Sequence, residues 1–182
     1  MTEQIDRRAP MAAAAMQYNP DGSVAWDDMW DSFCELAQDG GPPHRDTMLE
    51  PDETADPENP HYQAIMAEII RGIELVSGLR ARPATPGWIA VSCDQPGMAR
   101  WLCDAINEEH VRARCAGSTL FVPAGPDYTL KGEIKNVVTA IAKTTHYWGD
   151  HLPSEVKSTL AMQEQLSRLT RRITKLFRRS ST

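Results

Sequence analysis

The stretch Pro86-Gly-Trp-Ile-Ala-Val-Ser-Cys-Asp-Gln-Pro-Gly97 decides the fold. Trp88 to Cys93 is a short apolar run closed at both ends by turn formers. Six residues with Ile and Val between such ends fit a strand better than a helix. The period then changes: Met98, Trp101, Leu102, Ala105 and Ile106 recur every three or four positions and make one apolar helical face. Pro96 suits the first turn of that helix, where its missing N–H is not needed. Val111-Arg-Ala-Arg-Cys115 alternates with period two, and Thr119-Leu-Phe-Val122 follows after Ala-Gly-Ser, the pattern of a hairpin. A long helix from about Gly132 carries Ile134, Val137, Val138, Ile141, Thr145 and Trp148 on one face. Residues 87–148 thus predict a β-α-β-β-α unit: an α+β fold with a small mixed β-sheet and two helices on one side. That scaffold hosts many unrelated activities and does not define a function by itself.

Upstream, two further helices are expected. One spans 23–39, with Ser23 as N-cap, Asp27 and Asp28 in the first turn, and an aromatic-rich stripe of Trp26, Met29, Trp30, Phe33, Cys34 and Ala37. Gly40-Gly41-Pro42-Pro43 ends it. The other spans 59–78, opened by Asn59-Pro60, closed by Gly78, and buried through Tyr62, Ile65, Met66, Ile69, Ile70, Ile73 and Val76. Residues 1–22 read as a disordered N-terminus, and the acidic stretch 46–59 as exposed linker. The single domain is therefore expected over 23–151. Beyond it, 152–182 read as a basic, amphipathic and projecting C-terminal helix. Met162, Leu166, Leu169, Ile173 and Leu176 form a short heptad seam there.

With 182 residues, 41% apolar and 24% charged, the chain can bury a core and has the composition of a soluble protein. No apolar run is long enough for a transmembrane helix. The start is too acidic for a signal peptide, and Cys34, Cys93, Cys103 and Cys115 lack C-x-x-C spacing, so a cytoplasmic location is expected. Charge is uneven. Residues 21–60 hold twelve Asp or Glu against Arg45, and 153–182 hold seven Lys or Arg against Glu155 and Glu164. Contact with a protein partner, or self-association, through the C-terminal helix fits this asymmetry. The net charge of −6 and the lack of aromatic–basic alternation argue against nucleic acid.

The candidate site joins His44 and Arg45, presented by the Gly-Gly-Pro-Pro loop, with His146, Tyr147, Trp148 and His151. Imidazole, guanidinium, phenol and indole together can hold a small anionic or planar ligand. His146 and His151, five apart with Asp150 between, are a poor match to zinc spacing, so no metal site is assigned. Cys93, ahead of a helix start, reads as an inward structural thiol beside the like charge of Asp94. The loops at 94–97 and 124–132 lead into helices but lack the glycine patterns of nucleotide sites. No set of side chains defines a reaction or a cofactor. The expected function is a non-catalytic cytoplasmic binding or accessory protein, holding a small anionic ligand or a partner protein at this His/Arg/aromatic surface. The alternative is a small enzyme using His44 or His146 as acid or base there.

Overall fold

The computed structural model describes residues 16–29 and 45–163. Helix α1 spans Pro60–Ser77, strands β1 and β2 Ala81–Pro83 and Trp88–Ser92, helix α2 Pro96–Glu108, strands β3 and β4 Arg114–Ala116 and Thr119–Pro123, and helix α3 Lys135–His146. A π-helical turn extends α3 at each end, Leu130–Ile134 and Tyr147–His151. The α+β class stands. The sheet has four strands in the order β1-β2-β4-β3, and every strand pair is antiparallel. The expected mixed sheet is corrected accordingly: parallel pairing among the described residues is confined to one isolated bridge, Leu49 with Val111. That bridge also explains why β3 begins at Arg114 rather than at Val111.

Local chemistry accounts for the helix ends. The Asn59 side chain accepts from the His61 and Tyr62 N–H groups, Pro60 takes the first turn, and Gly78 closes α1 at φ 67°. The hairpin between β3 and β4 turns at Gly117, φ 61°. The helices cover the sheet face of Ile89, Val91, Leu120 and Val122, each fully buried. Gly72 lets α1 approach α3, since a Cβ there would lie 2.6 Å from Val138 Cγ2. At the outer strand, Ser92 N–H donates to Arg80 O and Ala84 N–H to Trp88 O, so even-numbered residues of β1 face β2. The outward N–H of Ala81 is taken by Glu74 Oε1 at 3.1 Å, and outward-facing Pro83 has none.

The stretch 46–59 is not a free linker. Leu49 and Ala55 are buried. Leu49 N–H donates to His110 O, Arg112 N–H to Leu49 O, and Asp52 N–H to Ala124 O. Trp88 Nε1 donates to Glu53 at 2.7 Å and the Tyr128 hydroxyl to Glu50 O at 2.7 Å. Of the first helix, residues 26–29 are described: Trp26 and Met29 are buried, and Trp26 Nε1 donates to Glu68 at 2.9 Å. Ser23 does not cap it, for both its N–H and its hydroxyl donate to Asp21 in a preceding turn. Tyr18 bridges to Val24 across that turn, so the tail end of the stretch 1–22 carries structure. Trp30, Phe33, Cys34, Ala37 and the seam from Leu166 to Leu176 lie outside the described residues. The helix at 154–163 begins seated on the domain, with the Leu160–Ala161 backbone against Gly97.

Gly87 joins the acidic segment to the sheet. Its φ is +81°, and a Cβ would sit 2.8 Å from the Asp52 carbonyl. Left-handed strain and a backbone clash add, so Gly87→Ala should cost roughly 2–4 kcal/mol. Chemical denaturation reads this directly, and an unchanged midpoint would show that the 52–53 backbone yields freely.

Candidate functional site

His44 lies outside the described residues. Arg45 Nε donates to Thr47 O at 3.3 Å, its Nη1 stands 3.8 Å from Glu133 Oε1, and its carbonyl accepts from His110 Nδ1. Glu133 is at the start of the α3 assembly and His146 at its end, thirteen residues on. At 1.5 Å per residue the separation is about 20 Å. Arg45 and the residues 146–151 are therefore not brought together, and no composite of the two forms.

The second half of the candidate site is a cluster of its own. His146 Nδ1 is 3.1 Å from Asp150 Oδ2, and His151 Nε2 is 3.1 Å from His146 Nε2. The Tyr147 and His151 rings lie 5.1 Å apart. Trp148 belongs to the core instead: it is 7% exposed, 5.9 Å from the Trp101 ring, with Lys157 above it. Among the described residues no group of three potential ligands converges on a metal position.

The other chemistry-bearing groups have structural duties. Burial, with Asp94 beside it, pushes the Cys93 thiol up to about 12, and burial beside Cys115 does the same to Cys103. Neither is a thiolate near neutral pH. The N–H and hydroxyl of Thr129 donate to Glu133, so the helix start after the 124–132 loop is filled by its own carboxylate. Lys143 and Glu109, both buried, form an ion pair between α3 and the end of α2. A groove of about 360 Å³ between α1 and β1, walled by Met66, Ile70, Pro83 and Pro86, contains no charged side chain.

The open face of the sheet is different. Arg82, Ala90, Phe121 and Arg114 stand side by side across the four strands, one row in register. The Arg114 guanidinium lies 4.0 Å over the Trp88 ring and 5.2 Å over Phe121, and donates to Thr85 Oγ1 at 3.3 Å. Glu53 contacts both Trp88 Nε1 and Arg114. Arg80, paired with Ser92 through its carbonyl, shares the face by parity. Arg80 and Arg82 are exposed and make no ion pair among the described residues. Phe121 is half-buried, flanked by the Thr119 hydroxyl along its strand. These residues were not candidates from the sequence. Their signal was the even-numbered polar positions of the strands, Arg80/Arg82 and Arg112/Arg114, whose alignment needs the strand register. Comparison with known protein families, curated proteins and solved structures finds no match.

The raised thiols make a pH prediction. A free thiol titrates near 8.5–9, and the folded state holds the proton at Cys93 and Cys103 up to about 12. Their contribution is intact below about 9 and is lost as pH rises towards 12. Denaturant titrations at pH 8 and 10.5 should therefore show a larger loss for the parent than for Cys93→Ala/Cys103→Ala. Equal losses would mean these thiols titrate normally in the fold.

Proposed function

We propose that this chain is a non-catalytic cytoplasmic binding or accessory protein that takes an anionic group on the open face of its sheet. The carrying observation is the pair Arg80 and Arg82, exposed and without ion pairs among the described residues, in line with the Arg114–Phe121–Trp88 stack. Guanidinium groups match carboxylate and phosphate oxygens two at a time, and a ring beside them accepts a planar moiety. The His/Arg/aromatic surface expected at His44, Arg45, His146, Tyr147, Trp148 and His151 gives way in this proposal to an Arg/aromatic one. Cys93, Cys103 and Cys115 are free thiols, which suits a reducing compartment such as the cytoplasm. Contact with a partner, or self-association, through the basic C-terminal helix remains part of the proposal.

A small enzyme is the second reading. The observation favouring it is Asp150 at 3.1 Å from His146 Nδ1, the orienting contact of a base. It ranks second because the far nitrogen of that imidazole, His146 Nε2, meets His151 Nε2 at 3.1 Å rather than a nucleophile.

The test uses tripolyphosphate as probe, with calorimetry at low salt. The parent should bind, and Arg80→Ala/Arg82→Ala should bind roughly ten-fold or more weakly, the scale of losing a charge-assisted hydrogen bond. Melting should barely move, since both side chains are exposed. Equal binding by parent and variant, or none by the parent, would remove this face from the proposal.

A further inference from the structure

We infer that the anionic ligand of the open sheet face is single-stranded nucleic acid, its phosphates on the arginines and a base on Phe121. The inference rests on the anion-binding reading above and names its ligand class. Three features favour an extended polyanion over a small anion. First, the cations are spread rather than convergent. Arg82 on β1 and Arg114 on β3 lie at opposite edges of the sheet, and strands about 4.8 Å apart place their backbones about 14 Å from each other. A small anion needs donors closing on one point, whereas a strand of phosphates crossing the sheet meets them in turn. Second, the part of the row open to solvent is the ring of Phe121, which is half-buried, while Ala90 beside it is 2% exposed and lies beneath its neighbours' side chains, so the ring and the arginines are what a ligand meets. Small-molecule sites are concave; single strands are held on open sheets by stacking on aromatic side chains or on guanidinium planes. Third, the Arg114 guanidinium carbon lies 4.0 Å from the Trp88 ring centroid and 5.2 Å from that of Phe121, so a cation is already held at the ring on which a base would stack.

The net charge of −6 does not oppose this. It is a sum over the chain, and much of the acid lies in residues 21–60. Of that segment Glu53 reaches the face, and Arg114 answers its charge. Arg80 and Arg82 leave the face locally positive. Ser92 and Thr119 add hydroxyls that can donate to phosphate or sugar.

The experiment is fluorescence anisotropy of the full chain with a labelled ten-nucleotide oligouridylate, with inorganic polyphosphate and polyglutamate as matched polyanions. Phe121→Leu keeps apolar bulk on the sheet while removing the ring, and its melting curve verifies folding. The inference expects oligonucleotide binding that Phe121→Leu weakens by roughly five-fold or more, the lower end of the stacking range. It also expects log affinity to fall with log salt, the slope shrinking by about 0.7 for each of Arg80 and Arg82 replaced by alanine. Suppose polyphosphate or polyglutamate binds as tightly as the oligonucleotide and Phe121→Leu changes nothing. The face is then a plain anion site, which overturns the nucleic-acid inference and leaves the proposed function standing. If none of the three polyanions binds, or the arginine variants bind all three as the parent does, both fall together.

Discussion

The antiparallel pairing of β2 with β4 is the constraint on which the rest depends. These two five-residue strands are the centre of the sheet, and β2 is buried on both sides. Ile89 and Val91 face the helices, while Trp88 and Ala90, 4% and 2% exposed, face the other way. That register sets Ala90 beside Phe121, and the pairings of β1 with β2 and of β3 with β4 then add Arg82 and Arg114 to the row. Gly87, at the mouth of β2, receives Ala124 N–H through its carbonyl and donates its own N–H to the Tyr62 hydroxyl. The same glycine therefore ties α1, the acidic segment and the end of β4 to one strand.

The helical layer has its own fastening in the Lys143–Glu109 pair. An ion pair of buried charges is no certain gain over apolar packing, but losing one member leaves the other stranded and is strongly unfavourable. Such a pair penalises any sliding of α2 along α3. Lys135, Thr139 and Lys143 recur every four residues, so a polar stripe runs along the helix and is buried beside Val137, Val138 and Ile141. A helix carrying polar groups on a buried stripe has one acceptable rotation.

What could be read from the residues was what local chemistry controls. Asn59-Pro60 and Gly78 mark the ends of α1 because caps act within four residues. The alternation in Thr119–Val122 gave its strand for the same reason. Strand β1 escaped notice because three residues that include Pro83 have no periodicity; pairing to β2 makes them a strand. The segment 46–59 misled because its composition is that of solvated chain, while its backbone groups are spent on Val111's neighbours and on Ala124. The site was the least legible part. Arg45 and His146 were joined on chemical suitability, and helix rise alone separates them by about 20 Å. Arg82 and Arg114 are far apart in sequence, and only the sheet order brings them to one face.

The outer edge of β1 has a consequence for the protein in a crowded solution. An exposed strand is a template on which other chains can assemble into aggregates, through alternating donors and acceptors. Here the donor half of that template is missing: Glu74 occupies the Ala81 N–H and Pro83 has none to offer. An incoming strand would meet carbonyls alone and could not complete a ladder. The sheet is closed to growth on that side without a covering helix, and its arginine-bearing face can stay exposed without turning the molecule into a seed for fibrils.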